Sequence, residues 1–231
     1  MSILAVVPAR MGSSRLPGKP LKLIGEISMV EHVFNNISLS KHIRKSLVAT
    51  EDDIIYKKMN ERNINCIITQ KHPTCTDRVS EVSNVIDKYD YILNLQGDEP
   101  LLEIESIDNF IECSMELFKN ENVKVTNAIT KLKLEEVEDP NRVKAIVEDN
   151  IIVDLSRTKK SDWKQLGLYM YRVETIKAFN NLPTENKNKL DTLRFTENNI
   201  DVYAIPIETN SLSVDTLEDL ETVRKIFLNL R

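Results

Sequence analysis

The sequence predicts a three-layer α/β protein whose central sheet is mostly parallel. In the first half of the chain, short apolar segments rich in β-branched residues alternate with longer amphipathic ones, as in strands joined by crossover helices. Polar, charged residues follow these apolar segments directly, at the strand ends where open α/β sheets bind ligands. The length of 231 residues, 41% of them hydrophobic, suits one domain. We expect a single domain over 1–231 with a small substrate-binding and dimerisation subdomain around 123–200.

The elements of the first half follow from their periodicity. The predicted strands lie near 2–7, 45–50, 64–69 and 90–95, and the predicted helices near 28–39, 52–62, 77–88 and 104–119.

The second half contains more strands. Strand-like runs lie near 123–129, 142–148, 150–155, 166–172 and 201–206, and amphipathic patterns lie near 187–197 and 217–229. The short polar turn Glu148-Asp149-Asn150 predicts that 142–155 forms a hairpin. Thr216, with Asp219 three residues later, predicts a capping box at the start of the last helix.

Composition narrows the function. The formal net charge of -5 argues against general nucleic-acid binding. No segment is long and apolar enough to cross a membrane, and no secretory signal precedes the first strand, so we expect a cytoplasmic protein. Three scattered cysteines suit a reducing compartment and form neither a disulfide framework nor a zinc site.

A basic loop follows the first predicted strand. It reads Pro8-Ala9-Arg10-Met11-Gly12-Ser13-Ser14-Arg15-Leu16-Pro17-Gly18-Lys19-Pro20. Glycines allow close backbone approach, prolines hold the loop's shape, and Arg and Lys bind phosphate oxygens. We therefore expect a nucleoside triphosphate here. It is not a Walker A loop, because five residues separate Gly12 from Gly18 and Pro20 stands where a hydroxyl residue should follow Lys19.

Two carboxylates suggest a magnesium site. Asp98 lies in Gln96-Gly97-Asp98-Glu99-Pro100, which closes an apolar strand, and Mg²⁺ typically combines one or two carboxylates with substrate phosphates. Asp215, just before the last helix, is a second candidate ligand, although its position equally suits a helix cap or a partner of the helix dipole.

The segment from His72 to Arg78 offers hydroxyls and a guanidinium near a helix N-terminus. Thr76 and Arg78 are therefore candidates for recognising a base or a ribose. His72 has no adjacent nucleophile or second ligand, and we interpret it as structural.

Together these segments resemble the 3-deoxy-manno-octulosonate cytidylyltransferase (CMP-Kdo synthetase) family over nearly the whole chain. The Gln-Gly-Asp-Glu-Pro segment is the most specific part of the resemblance. Other matching segments are the basic loop, Thr76-Asp77-Arg78, Pro140-Asn141-Arg142-Val143-Lys144, Ser156-Arg157, Gly167-Leu168-Tyr169-Met170-Tyr171-Arg172 and Val214-Asp215-Thr216.

The resemblance implies a nucleotidyltransferase fold, Rossmann-like and of the glycosyltransferase-A type, and a homodimer. It implies that CTP and a 3-deoxy-2-keto sugar acid give a CMP-sugar and pyrophosphate, for lipopolysaccharide or surface polysaccharide synthesis, with Mg²⁺ as cofactor. The implied catalytic residues are Arg10, Arg15, Lys19 and Asp98, and the implied metal ligands are Asp98 and Asp215. The implied CTP contacts are Pro8, Ala9, Arg10, Gly12, Ser13, Lys19, Thr76, Arg78 and Gln96. The implied sugar contacts are Gln96, Arg157, Tyr169, Tyr171 and Thr192.

The departures from the family lie mostly on the sugar side. Thr192 replaces a glutamine, Asn188 replaces a glutamate, Gln165 stands near a usual histidine, and the segment after Arg157 is short. In the base segment, Cys75 stands where glycine is usual. The acceptor therefore stays open between 3-deoxy-manno-octulosonate and another acid, such as its 8-amino analogue or a nonulosonate. A uridylyl- or guanylyltransferase, or a non-catalytic nucleotide-binding protein, are the further alternatives.

Overall fold

The computed structural model describes residues 1–184 and 190–229. The strands are β1 (Ile3–Ala9), β2 (Leu23–Ile24), β3 (Ile27–Ser28), β4 (Lys45–Thr50), β5 (Cys66–Ile68), β6 (Tyr91–Leu95), β7 (Val125–Lys131), β8 (Lys144–Glu148), β9 (Ile151–Ser156), β10 (Trp163–Arg172) and β11 (Val202–Pro206). The helices are α1 (Met29–Ser38), α2 (Asp53–Glu61), α3 (Cys75–Val85), α4 (Ile104–Leu117), α5 (Val173–Ala178), α6 (Leu193–Glu197) and α7 (Leu217–Asn229). Three short 3₁₀ turns lie at Lys19–Leu21, Leu134–Glu136 and Phe179–Asn181.

The main sheet is mixed, so the expectation of a mostly parallel sheet is wrong. The strand order is β5-β4-β1-β6-β10-β7-β11-β9-β8, and only its first four strands form a continuous parallel block. β10 lies between β6 and β7 and runs antiparallel to both. The alternation that predicts crossover helices ends after α4. The strands β8, β9 and β10 then follow one another through short connections, which cannot hold a crossover helix.

The predicted hairpin is confirmed. β8 and β9 pair antiparallel across a two-residue turn. Asp149 and Asn150 in this turn have φ of 48° and 64°, the left-handed values that a two-residue type I′ turn requires.

The central strand β1 is buried along its whole length because helices cover both faces of the sheet. Ile3, Ala5 and Val7 belong to a core shared with α1, α2 and α4. Leu4 and Val6 belong to a second core on the other face, which includes apolar residues of α3 and α5. The two-sided burial explains why the strand is apolar without alternation, as in parallel sheets generally.

Several local features were not predicted. These are the small hairpin of β2 and β3, the helix α5 and the 3₁₀ turns. The pattern near 187–197 appears as α6 from Leu193, and residues 185–189 lie outside the described residues. Cys66, Cys75 and Cys113 are free thiols. Within residues 1–184 and 190–229, no helix is both long enough and apolar enough to cross a membrane.

Candidate active site

A cavity of about 330 Å³ opens at the carboxyl ends of β1 and β6. This is the edge where the sequence predicted a ligand. Most of the predicted site residues line it: Pro8, Ala9, Arg10, Gly12, Ser13, Arg15, Lys19, Gln96, Asp98, Arg157, Tyr169 and Asp215. Residues as far apart in the chain as Pro8 and Asp215 therefore meet around one space.

Lys19 joins the two predicted metal ligands. Its Nζ donates to Asp98 Oδ2 at 2.7 Å, to Asp215 Oδ1 at 3.2 Å and to the carbonyl of Val214 at 2.9 Å. Burial by itself lowers the pKa of Lys19, but the charges of Asp98 and Asp215 outweigh it, and the net pKa is raised. Lys19 therefore stays an ammonium ion that holds both carboxylates in the cavity.

Asp215 does not cap the last helix. Thr216 does so, since its hydroxyl accepts from the N–H of Asp219, as the predicted capping box requires. The carboxylate of Asp219 in turn accepts from the N–H groups of Asp215 and Thr216 at 2.9 and 2.8 Å. Because Asp219 satisfies these donors, the carboxylate of Asp215 is free to face the cavity and bind Lys19.

The basic loop is held from two sides. Arg15 donates to Asp215 and to the side chain of Asn141, each at 2.8 Å. The N–H of Met11 donates to Asp52 Oδ2 at 2.7 Å. Gly18 has a φ of 69°, a left-handed conformation that glycine adopts without strain, and the 3₁₀ turn carrying Lys19 begins directly after it.

Arg10 and Arg157 differ from the other cavity cations, because neither forms an ion pair within the described residues. Arg10 donates to the carbonyl of Pro73 at 3.3 Å, and Arg157 donates to the carbonyls of Pro140 and Asn141 at 3.0 and 2.9 Å. Backbone carbonyls orient a guanidinium without neutralising its charge. Both side chains therefore remain able to pair with substrate anions.

Gln96 is positioned by β10. Its N–H donates to the carbonyl of Gly167 at 2.7 Å, and a Cβ at Gly167 would lie 2.8 Å from Gln96 Cβ. Gln96 Nε2 lies 3.4 Å from the hydroxyl of Tyr169. Burial raises the pKa of Tyr169 well above its usual value, so this hydroxyl remains protonated.

Four predicted site residues lie behind the cavity wall rather than in it. Arg78 is fully buried, donates to Thr69 and pairs with Glu51. The other three are Thr76, Tyr171 and Thr192. Two of them contact residues that do line the cavity: Thr76 N–H donates to Asp191 at 3.1 Å, and the Thr192 hydroxyl lies 3.5 Å from Gln165 Nε2. Asn188, the other altered sugar-side position, lies outside the described residues.

Sequence reasoning missed several cavity residues. They are Cys75, Glu99, Asn141, Arg142, Lys164, Gln165 and Asp191. Most of them stand in or beside segments that resemble the family, so the sequence could have indicated that they lie near the site. Their orientation was not available from sequence, because it depends on buried ion pairs such as Lys164 with Glu136 and Arg142 with Asp219.

The donor set suits a divalent cation that also binds phosphate. Asp98 and Asp215 present oxygen ligands to one point in the cavity, now contacted by the Lys19 ammonium. Within the described residues, no group of three or more His, Cys, Asp or Glu side chains is placed to hold a metal by itself. Two carboxylates completed by phosphate oxygens match the preference of Mg²⁺.

Comparison with known proteins agrees with this geometry. A family model described as Cytidylyltransferase matches residues 4–226. The chain is 34% identical to 3-deoxy-manno-octulosonate cytidylyltransferase of Fusobacterium nucleatum subsp. nucleatum over 96% of each protein.

The chain belongs to the cytidylyltransferase family.

Further relatives of this family agree. The enzyme of the same name from Leptospira interrogans is 35% identical over 97% of this chain and 96% of its own length. Among solved structures, CMP:2-keto-3-deoxy-manno-octonic acid synthetase complexed with CTP superposes with a TM-score of 0.89 at 26% identity, over the full length of both chains. The superposition shows that the chain has the fold of that synthetase over its whole length.

Proposed function

We propose that this cytidylyltransferase transfers CMP from CTP to the anomeric hydroxyl of 3-deoxy-manno-octulosonate and releases pyrophosphate. The observation that carries the proposal is the charge arrangement of the cavity. The cavity brings together the basic loop, two carboxylates bound by Lys19, and Arg157, which has no ion-pair partner among the described residues. Such a cavity suits a triphosphate and a sugar acid together. The full-length relatives named for this activity support the same substrates.

The triphosphate is assigned to the basic loop. Arg10 brings a guanidinium without an ion-pair partner among the described residues, and Arg15 and Lys19 bring cations bound to Asp98 and Asp215. These charges would neutralise the phosphates and the departing pyrophosphate, where negative charge increases during the reaction. We include Pro8, Ala9, Gly12 and Ser13 in the same assignment, because the loop backbone there lines the cavity.

Magnesium is assigned to Asp98 and Asp215. Bound Mg²⁺ would supply charge neutralisation and alignment of the phosphates. The two carboxylates contribute the protein oxygens, and Lys19 keeps them directed into the same part of the cavity.

The reaction asks little covalent chemistry of the protein. The anomeric oxygen forms a bond to the α-phosphorus and gives its proton to solvent, while the bond from the α-phosphorus to the oxygen that bridges it to the β-phosphorus breaks. Pyrophosphate leaves with the electron pair. Positioning and charge neutralisation therefore carry most of the catalysis. Arg157 orients the acceptor by pairing with its planar carboxylate, for which a guanidinium is suited.

A second acceptor is favoured by one observation. Asp191 lines the cavity close to Tyr169. Within the described residues it forms no ion pair, and its carboxylate oxygens accept only from the N–H groups of Thr76 and Thr192. An unpaired carboxylate in a cationic cavity suits an acceptor with an ammonium group, such as the 8-amino analogue of the sugar acid.

Pyrophosphate release with Mg²⁺ tests both candidates. The acceptors are 3-deoxy-manno-octulosonate, its 8-amino analogue, neuraminate and no acid, with UTP replacing CTP as the nucleotide control. Release with 3-deoxy-manno-octulosonate supports the proposal. Release with its 8-amino analogue alone would mean that Asp191 sets the acceptor specificity. No release with any acid, in a folded protein that binds CTP, contradicts catalysis.

We further propose that the protein is a homodimer in the cytoplasm. That compartment supplies CTP, and its reducing environment suits the three free thiols. Light scattering of the purified protein measures the assembly: a mass near twice the 26.6 kDa of one chain is expected, and the mass of a single chain would contradict a dimer.

A further inference from the structure

The connection between β11 and α7 carries Asp215 to the cavity without regular secondary structure. Residues 211–215 form neither helix nor strand. A carboxylate on such a segment needs side-chain contacts to hold its position, because no helix or sheet ladder does so.

Glu99 supplies these contacts from the end of β6. Its carboxylate accepts from the hydroxyl of Ser213 at 2.6 Å, the hydroxyl of Ser211 at 3.2 Å and the N–H of Gly167 at 3.2 Å. Only 2% of Glu99 is exposed. Because so little of Glu99 is exposed, bulk water cannot readily replace these hydrogen bonds if they are lost.

The contacts of Glu99 with the segment lie directly before Val214, the residue whose backbone joins this segment to the end of β6. Val214 follows Ser213 directly, and its N–H donates to the carbonyl of Asp98 at 2.9 Å. Its own carbonyl accepts from Lys19 Nζ. Glu99 is itself the chain neighbour of Asp98. One buried carboxylate thus ties the segment of Asp215 to the strand end that carries Asp98.

We propose that Glu99 is a positioning residue of this cytidylyltransferase, which fixes Asp215 opposite Asp98 by binding Ser211 and Ser213. The consequence of this positioning for metal binding rests on the proposed function, whereas the effect of Glu99 on the segment 211–215 does not.

The same connection offers a matched control. Glu103 binds its upstream end, where the hydroxyl of Thr209 and the N–H of Asn210 donate to its carboxylate. Glu99 and Glu103 are the same residue type and hold the same connection, but only Glu99 contacts the residues next to Val214.

Amide hydrogen exchange at Val214 and Asp215 measures the positioning directly. Both N–H groups are hydrogen-bonded, to Asp98 and to Asp219. In Glu99→Ala we expect exchange at both to accelerate roughly tenfold or more, because the lost bonds are buried. In Glu103→Ala we expect a change of no more than about twofold. Glu99→Gln should keep most of the protection, since its amide oxygen still accepts and a serine hydroxyl can rotate to accept from its Nε2.

Binding of Mn²⁺ in the presence of CTP, followed by electron paramagnetic resonance, measures the consequence. We expect the dissociation constant to rise about tenfold in Glu99→Ala and to stay unchanged in Glu103→Ala. If wild type binds no Mn²⁺, the metal part of the proposed function fails, while the exchange rates still decide the role of Glu99.

Unchanged exchange in Glu99→Ala, or an equal acceleration in Glu103→Ala, would overturn the inference. If Glu99→Ala does not fold, Ser213→Ala replaces it, because that change removes a single donor to Glu99. Its exchange at Val214 should then accelerate about threefold, and an unchanged rate counts against the proposal.

Discussion

The cations around the cavity fall into two groups according to their partners. Lys19 and Arg15 bind Asp98 and Asp215, so within the described residues their charges are already matched. Among the described residues, Arg10 and Arg157 bind only backbone carbonyls. The first group also keeps the carboxylates in place, and the second carries charge that no carboxylate of the described residues offsets.

Asp98→Asn tests the role of the carboxylate at the end of β6. The change keeps the size of the side chain but removes its charge, and we expect the rate of pyrophosphate release at saturating substrates to fall at least about 100-fold. The circular dichroism spectrum should stay that of the wild type. The exposed Asp162→Asn is the matched control, and a near-wild-type rate in Asp98→Asn would falsify the assignment.

Arg157→Ala and Arg10→Ala form a reciprocal pair. Arg157→Ala should raise the KM for the sugar acid about tenfold or more with a smaller effect on CTP, because a carboxylate loses its guanidinium partner. Arg10→Ala should show the opposite pattern. Steady-state kinetics with each substrate varied in turn provide the measurement. If both variants affected the KM for the same substrate, the assignment of Arg157 to the sugar acid and of Arg10 to CTP would be contradicted.

At the scale of elements, the start of α7 holds the backbone of Asp215 from the helix side. Asp219 accepts from the N–H of Asp215 and binds Arg142, whose Nη1 also donates to the carbonyl of Ser213 at 3.0 Å. The helix terminus, the arginine and the preceding segment therefore form one connected unit. A change at Asp219 should affect both stability and the site.

Asp219→Asn is expected to lower the free energy of unfolding by about 2 kcal/mol near neutral pH, because a charge-assisted bond to a buried arginine is lost. Burial raises the pKa of Asp219, but the N–H of Asp215 and the Arg142 guanidinium outweigh it, and the net pKa is lowered. The carboxylate's contribution is thus complete above its unfolded pKa of about 3.9 and is lost as the pH falls through the lower, folded value.

Urea unfolding from neutral pH down to about pH 3 measures this dependence. Glu218→Gln is the matched control, since Glu218 is exposed in the same helical turn. A difference between wild type and Asp219→Asn that grows as the pH falls would have the wrong sign and would contradict the mechanism.

Gly167→Ala tests how closely β10 packs against the end of β6. The added Cβ would lie 2.8 Å from Gln96 Cβ, so Gln96 must move. We expect kcat/KM to fall roughly tenfold or more, with a loss of stability of about 1 to 3 kcal/mol. Gly12→Ala, where a Cβ meets nothing within 4 Å, is the control for stability only, because Gly12 is assigned to the triphosphate site. Wild-type kcat/KM in Gly167→Ala would show that Gln96 need not keep its position.

At the scale of the whole molecule, the three thiols differ in how deeply the fold buries them. Burial raises the pKa of Cys66 and of Cys75 to about 12, and for Cys75 the nearby charges of Asp191 and Asp98 add to this effect. Cys113 is exposed. The thiolate is the reactive form, so reactivity should follow this order.

Alkylation by iodoacetamide at about pH 8, followed by mass spectrometry, should modify Cys113 first and the other two thiols at least roughly tenfold more slowly. CTP should slow modification of Cys75, which lines the cavity, and leave Cys66 unchanged. Rapid labelling of Cys75 in the presence of CTP would contradict its place in the site. Denatured protein, in which all three react alike, is the control.

Prediction from sequence was most accurate where the signal is local. The β/α alternation located β1, β4, β5 and β6 and the helices between them, and the polar turn at Asp149 predicted the β8–β9 hairpin. Thr216 and Asp219 form the predicted capping box. The direction of β10 was not predictable, because an apolar strand pattern is the same for parallel and antiparallel pairing.

The sequence by itself determined the chemistry available to this protein: a basic loop after a buried strand, carboxylates at Asp98 and Asp215, and the family to which these segments belong. Only the tertiary structure decided which groups are already paired. Arg78 is buried against Glu51, whereas Arg157 has no ion-pair partner among the described residues, although both are arginines in predicted binding segments. The physical reason is that ion pairing and burial depend on contacts between residues far apart in the chain, which residue type and local periodicity do not specify.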